Sequence, residues 1–173
     1  MQSLSALSGQ QLKWSQPKVS KMEYELRSGD QLAATLRFRS SFGSFATAES
    51  AAGCWTFKRV GFWQTKVTVR VCDSDTDIAT FANNTWSGGG TLTLPDGRKL
   101  LVSTNMWQTQ YEIKNESETA LVRYKMGGVF HLSSQVEIQP AAMELPELPW
   151  LIPFGWYLAL MAYKDSAAAA AAV

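Results

Sequence analysis

Three aspartates at alternate positions are the residues of this 173-residue chain whose spacing most resembles a metal site. Asp73, Asp75 and Asp77 lie in the segment DSDTD, and oxygen ligands at every second residue can converge on a calcium ion in a loop. The segment lacks the glycine at the bend and the glutamate at the twelfth position that define an EF-hand. A solvated hairpin tip is the alternative interpretation, and the sequence leaves both open.

Groups suited to enzymatic catalysis are scarce. The single histidine, His131, lies in the segment GGVFHLSS, and a lone histidine in a strand is usually structural. The chain has no Gly-x-Ser-x-Gly elbow, no HExxH helix and no phosphate-binding loop with its lysine; SGGG at residues 87–90 is typical of a turn. We therefore predict a protein that is not an enzyme, with no catalytic residue, no assigned metal ligand and no cofactor.

Two cysteines, Cys54 and Cys72, lie in separate strand-like segments without a CxxC partner, which excludes a zinc ribbon. The segment MQSLSALSGQQLKW has no basic region followed by a long apolar run, as a secretory signal would. We therefore predict a cytoplasmic protein, with peripheral association at a membrane as an option. Because disulfides are rare in the reducing cytosol, both cysteines are predicted to be buried or half-buried thiols.

The main charge feature is a local excess of basic residues between residues 31 and 72. Six basic side chains stand there against a single acid, Glu49, giving a local net charge of +5 in a chain of net charge +1: Arg37, Arg39, Lys58, Arg59, Lys66 and Arg70. Strand alternation places all of them outward except Arg59, which falls on the other phase at a strand end. We predict that this face binds a phosphoinositide or another anionic phospholipid head group, each cation contributing about 1 kcal/mol. The alternative is an ordinary solvated face balanced by acids that folding brings close.

The aromatic residues divide into two groups. Trp55 and Phe57 alternate with the basic positions and are predicted to lie in the core. Phe62 and Trp63 follow a glycine in a predicted turn, so they are the candidates for a tip that touches a membrane. Together with Trp86 and Trp107, these four residues form an aromatic set that could also serve ligand stacking or a belt at a membrane interface.

β-Strands must position these residues, because apolar and polar side chains alternate with a period of two over most of residues 12–139. QLAATLRFR and KVTVRVC place apolar side chains on one face and Thr, Arg or Lys on the other. Ten segments alternate in this way, LKWS and SFATAE are weaker additions, and turn residues such as PDG separate many of them. No helical pattern interrupts the series, which favours antiparallel meanders over parallel crossover units.

The segment LPWLIPFGWYLALMAYKD carries no charge over residues 148–163. Pro153 suits the first turn of a helix, and the helix that follows is apolar on every side, so protein or lipid must surround it. Its uncharged part spans about 24 Å, whereas a membrane core of about 30 Å needs about 20 helical residues. We therefore predict a helix at about residues 150–171 threaded through a wide barrel, with a tail anchor as the alternative.

Three stretches resemble the tubby C-terminal-like superfamily, most closely its LURP-one-related and bacterial members near the phospholipid scramblase branch: CWTFKRVGFWQTKVTVRV, IATFANNTWSGGGTLTLPDGRKLLVSTNMWQTQYEI and PWLIPFGWYLALMAYKDSAAAAAA. The resemblance implies a mainly β fold, a roughly twelve-stranded antiparallel closed β-barrel wrapped around a buried hydrophobic C-terminal α-helix. It also implies relatives that bind phosphoinositides or act at membranes. The scramblase branch carries an acidic calcium segment near its helix, whereas only Glu144 and Glu147 precede the helix here, so calcium-triggered activity is not expected.

The leading functional prediction is a non-enzymatic, lipid-associated or regulatory binding module whose partner is an anionic phospholipid or a membrane surface. One alternative is a structural scaffold that binds another protein; the others are a tail-anchored β protein and an enzyme whose site a single sequence cannot assemble. The net charge of +1 gives no general attraction to nucleic acid, which we exclude as a partner. The predicted organisation is a flexible segment, residues 1–11, and one barrel domain, residues 12–173.

Overall fold

A computed structural model describes residues 1–7, 9–61, 66–84, 89–128 and 132–172 of the chain. Within these residues, twelve antiparallel strands form a closed barrel around one long helix, α1, which spans Leu148–Ala171. The predicted fold class, a mainly β closed barrel with a C-terminal helix, is confirmed.

Each strand pairs with its neighbours in the sequence, and β1 pairs with β12 to close the ring. The strands are β1 Leu12–Ser15, β2 Glu23–Ser28, β3 Gln31–Phe38, β4 Ala46–Ser50, β5 Gly53–Val60, β6 Lys66–Val71, β7 Asp77–Asn84, β8 Gly89–Thr93, β9 Lys99–Thr104, β10 Gln110–Lys114, β11 Ala120–Gly127 and β12 Ser133–Ile138. Two short 3-10 helices span Leu4–Leu7 and Pro140–Ala142. The two weaker strand candidates, LKWS and SFATAE, supply β1 and β4, and both are needed to complete the ring.

Because consecutive strands run antiparallel, their connections alternate between the two ends of the barrel. The connection after β12, residues 139–147, leads into α1 at one end, which we call the entry end. At the opposite end, the exit end, α1 leaves the barrel beside the β3–β4 connection. There the Tyr157 hydroxyl donates a hydrogen bond to the Ser44 carbonyl oxygen at 2.7 Å, and Lys164 Nζ donates to the Gly43 carbonyl oxygen at 3.3 Å.

The hydrophobic core lies between the inner face of the barrel and α1. Trp55 and Phe57 are buried, which confirms their predicted place. Residues 150–157 of α1 are buried without exception, so this part of the helix has no polar stripe. A barrel of twelve strands is too wide for its own side chains to fill, and the aromatic side chains of α1 fill the interior instead. Trp156, for example, stacks on Trp14 with ring centroids 6.1 Å apart.

The start of α1 differs from the prediction. We placed Pro153 in the first turn, but the helix begins at Leu148, Pro149 is its second residue and Pro153 lies inside it. The physical reason for the prediction applies to Pro149, whose missing N–H needs no partner in a first turn. Pro153 removes a donor from the helix interior, so enclosure by the barrel, rather than helix propensity, supports this stretch.

The amino-terminal segment, predicted to be flexible, contains the 3-10 helix Leu4–Leu7. The side chains of Leu4 and Leu7 are buried, and the Gln2 N–H donates a hydrogen bond to the Leu32 carbonyl oxygen at 2.9 Å. Two leucines one turn apart face the same way, so this short turn packs against the entry end.

The predicted alternative of a tail anchor requires a helix that spans a membrane. Among the described residues, none of the helices is both long enough and apolar enough to do so. The apolar part of α1 is enclosed by the strands, and the exposed residues 165–172 that follow are mostly alanine.

Gly155 allows α1 to pass close to β11. A Cβ atom at Gly155 would overlap the hydroxyl and ring of Tyr124, a buried residue whose hydroxyl donates a hydrogen bond to the Ile152 carbonyl oxygen at 2.9 Å. We expect Gly155→Ala to lower the free energy of unfolding by about 1–3 kcal/mol, because neither the helix nor the ring has room to move in a packed core. Urea denaturation followed by circular dichroism measures this change.

Gly127→Ala is the matched control. A Cβ atom at Gly127, at the end of β11, would lie 3.6 Å from Ser133 Oγ, which is an ordinary contact. Its free energy of unfolding should stay within about 0.5 kcal/mol of that of the wild type. Equal losses for the two glycine variants would contradict the close packing of α1 on Tyr124.

Candidate functional site

The six basic residues predicted to bind lipid head groups do not form one patch of available charge, because three of them form ion pairs with carboxylates. On the outer wall, Arg37 Nε lies 3.1 Å from Glu23 Oε1. Arg70 Nε lies 2.5 Å from Asp77 Oδ1, and Arg70 Nη1 lies 3.8 Å from Asp75 Oδ1. For Arg37 and Arg70, the alternative interpretation of a wall balanced by nearby acids is therefore the one that the structure supports.

Arg59, another of the predicted lipid head-group candidates, forms an ion pair with Asp165 of α1. Its two terminal nitrogens donate hydrogen bonds to the two carboxylate oxygens of Asp165, each at 2.9 Å, so it joins the exit end of β5 to α1. The hydrogen bond to Asp165 raises the pKa of Arg59, and burial together with the Arg59 charge lowers the pKa of Lys164 beside it. Lys164 Nζ lies 3.8 Å above the centroid of the Phe38 ring. These contacts join α1 to the wall of the barrel at the exit end.

Arg39, Lys58 and Lys66 are the three members of the set that have no ion pair within the described parts of the chain, and we call them the basic face. All three side chains are exposed. Lys58 lies on β5 opposite Thr68, and Lys66 begins β6 at the exit end. Arg39 follows the last residue of β3, also at the exit end. Among the six predicted residues, those without an ion pair therefore lie on the exit side of one wall.

A depression of about 640 Å³ crosses the outer wall at β4, β5 and β6. Thr47 lies opposite Thr56 in the register of β4 and β5, and Thr68 lies opposite Lys58 in that of β5 and β6. These three threonines line the depression together with Lys58 and Arg70, and Asp73 and Asp75 line it on the entry side. Hydroxyl groups and a lysine ammonium are donors that phosphate oxygens accept, so the exit side of the depression suits an anionic head group.

Another depression, of about 700 Å³, lies on a different wall between β1 and β12. Lys13 and Arg27 contribute positive charge to it, but Arg27 Nε lies 2.7 Å from Glu25 Oε2, and Glu137 also lines it. Each depression therefore has one lysine without an ion pair among the described residues, Lys13 here and Lys58 on the other wall, where Arg39 and Lys66 add further positive charge.

Two of the three aspartates that prompted the calcium interpretation form ion pairs. Asp75 and Asp77 both approach Arg70, and all three aspartates are exposed at the turn between β6 and β7. In the portion of the chain that the structure covers, no group of three or more His, Cys, Asp or Glu residues is arranged to hold a metal ion. The geometry supports the solvated hairpin tip.

The prediction that the cysteines are thiols was wrong, because Cys54 and Cys72 form a disulfide. Trp55 lies opposite Val71 in the register of β5 and β6, which places the two cysteines opposite each other with 5.4 Å between their Cα atoms. That separation suits a disulfide. A hairpin register drawn between the two strand segments would have brought them together; the prediction relied on the cellular compartment instead.

Two predicted membrane-tip residues, Phe62 and Trp63, lie outside the described residues, as does His131. The sequence analysis did not single out Phe42 and Met106, which are exposed apolar side chains at the exit end. The sequence does indicate them, because SSFGS and NMWQT place large apolar residues among turn-forming ones, where burial is not expected.

No protein-family model, no curated protein and no solved structure matches this chain. The resemblance to the tubby C-terminal-like superfamily, and to its LURP-one-related and scramblase-like members, therefore stays a prediction. The function has to be argued from the geometry and charge of the residues described above.

Proposed function

We propose that the protein is a non-enzymatic, lipid-associated binding module that holds anionic phospholipid head groups at the basic face. The observation that supports this proposal is that only half of the six basic residues form ion pairs with carboxylates. Three are taken by carboxylates, whereas Arg39, Lys58 and Lys66 share one side of the barrel without a carboxylate partner among the described residues.

The chemistry of the wall supports the same ligand. Lys58 faces a depression lined by three threonines, so a phosphate at this position would meet an ammonium group and hydroxyl donors together. Arg39 and Lys66 lie at the exit end, where they extend the positive charge toward the rim of the barrel. On an anionic membrane, each such cation contributes about 1 kcal/mol of binding free energy.

Charge reversal of the two lysines, Lys58→Glu/Lys66→Glu, tests the proposal. We expect the partition of the protein onto vesicles of phosphatidylcholine and phosphatidylserine to fall by at least about 30-fold, because two cations of about 1 kcal/mol each are lost. Vesicle sedimentation measures the bound fraction. Added salt should weaken binding of the wild type, since exposed charges are screened.

Lys13→Glu/Lys99→Glu is the matched control, because it changes the net charge equally but lies away from the basic face. Both lysines are exposed, and neither has an ion pair within the described residues. Binding of this control should remain close to that of the wild type. Equal losses for the two variants, or wild-type binding that does not depend on anionic lipid, would reject the basic face as the site of an anionic head group.

A further inference from the structure

Exposed apolar side chains concentrate at the exit end of the barrel. Of the seven large hydrophobic residues that are exposed among those described, five lie there: Val19, Phe42, Met106, Trp107 and Tyr163. We call these five residues the exit-end tips. They come from three different connections, residues 16–22, 39–45 and 105–109, and from α1 where it leaves the barrel. The entry end has only Met1 and Val71 from the same exposed set.

The tips are held outward by ordered turns. Asn105 Oδ1 accepts hydrogen bonds from the N–H groups of Thr109 at 2.8 Å and Gln110 at 3.1 Å, which closes the turn that presents Trp107. Trp107 is 80% exposed. The turn that carries Phe42 is tied to α1 by the hydrogen bond from Lys164 described above. Neither aromatic ring is positioned to bury itself against its own barrel.

The two ends of the barrel also differ in the charge of their connections. The described exit-end connections and α1 carry Lys18, Lys21, Arg39 and Lys164, against Asp165, which Arg59 neutralises. At the entry end, five of the six connections carry one or two acids, and Arg98 is the one basic side chain in them. An anionic surface would therefore attract the exit end and repel the entry end.

We infer that the exit end is the face by which the barrel docks on an anionic bilayer, with the exit-end tips in the interfacial layer and the surrounding lysines against lipid phosphates. This inference rests on the proposed function in one respect, that the partner is an anionic phospholipid membrane, and it adds an orientation. The carboxyl-terminal end of α1 points toward the membrane, and Arg39 and Lys66 of the basic face reach the same surface from the rim. Aromatic rings and lysines interspersed on one face are the composition that binds at membrane interfaces.

A bilayer fits this end better than a folded protein partner does. The exit-end tips stand on separate connections around the rim instead of forming one groove, and lysines lie between them. A fluid interface accepts separated rings at any spacing, whereas a protein surface would need a pocket for each. A protein partner is the competing outcome of the experiment below.

The experiment compares the wild type, Phe42→Ser/Trp107→Ser and the control Val71→Ser, which removes an exposed apolar residue at the entry end. We expect binding of the double variant to phosphatidylcholine–phosphatidylserine vesicles to fall by roughly tenfold or more, because two rings leave the interface. Val71→Ser should bind as the wild type does. Circular dichroism should show the same fold in all three proteins, since the altered side chains are exposed.

A second measurement locates Trp107 directly. Vesicles that contain brominated phosphatidylcholine quench tryptophans in the interfacial layer, so Trp107→Phe should lose part of the quenching that the wild type shows. Unchanged quenching in Trp107→Phe, or unchanged vesicle binding by Phe42→Ser/Trp107→Ser, would overturn the inference and leave a protein as the partner of this end.

The two proposals fail in different ways. If Lys58→Glu/Lys66→Glu binds vesicles as the wild type does while Phe42→Ser/Trp107→Ser does not, the basic face is rejected and docking through the exit end stands without it. If the tip variant binds normally while the lysine variant does not, the exit-end docking is rejected alone. A wild type that binds no vesicles rejects both.

Discussion

Replacement of Trp156 by alanine is expected to lower the free energy of unfolding by about 3–5 kcal/mol. Trp156 is fully buried on α1, where it stacks on Trp14 and meets the edge of Tyr24 with ring centroids 5.8 Å apart. Because the barrel cannot collapse around a missing indole, the variant leaves a cavity at the centre of the ring. Chemical denaturation followed by circular dichroism measures the loss.

The same substitution at an exposed tryptophan is the control. Trp107→Ala removes an equal side chain from the exit end and should change the free energy of unfolding by less than about 0.5 kcal/mol. Trp156→Phe should cost less than Trp156→Ala, because a ring remains and Trp156 Nε1 has no hydrogen-bond partner to lose among the described residues. A loss at Trp156 no larger than that at Trp107 would contradict the enclosure of α1 by the barrel.

Removal of the Cys54–Cys72 disulfide is expected to lower the free energy of unfolding by about 3 kcal/mol. The bond closes a loop between residues separated by 18 positions, and a crosslink over a loop of that length restricts the unfolded chain by about this amount. The strand pairing of β5 and β6 remains, so the barrel should still fold. Urea denaturation with and without dithiothreitol gives the difference.

The double variant Cys54→Ala/Cys72→Ala controls for other effects of the reductant. Its free energy of unfolding should be close to that of the reduced wild type and should not respond to dithiothreitol. Thiol labelling of the unfolded, unreduced protein supplies an independent check, because a disulfide leaves no thiol to label. Two labelled thiols per chain under these conditions would contradict the crosslink.

Burial of α1 changes where contact with lipid has to be sought. Residues 150–157, in the most apolar segment of the chain, are enclosed by strands, so this part of α1 supports the barrel from within. The two lipid-facing features that we propose, the basic face and the exit-end tips, lie on the outer wall and on the connections. They depend on α1 for the stability of the barrel, for the position of Tyr163 and Lys164, and for the hydrogen bond that ties the Phe42 turn to the helix.

Local patterns were sufficient to predict the strands and the central helix. Alternation within each segment decides which side chains face inward, as for Trp55 and Phe57, and it needs no knowledge of neighbouring strands. A helix that is apolar on every side has to be enclosed, and twelve strands leave a space of the right width. For these reasons the sequence alone determined the fold class and the place of the helix.

Contacts between residues far apart in the sequence decided which basic side chains have carboxylate partners. No local sequence pattern indicates such contacts. Arg59 and Asp165 are separated by 106 positions in the sequence, yet barrel closure and the helix exit bring them together as an ion pair. Strand register likewise gave Arg37 and Arg70 their carboxylate partners and joined Cys54 to Cys72. Only the alternation of the connections gathered basic and apolar residues at the exit end, because which end a connection occupies depends on the whole order of strands.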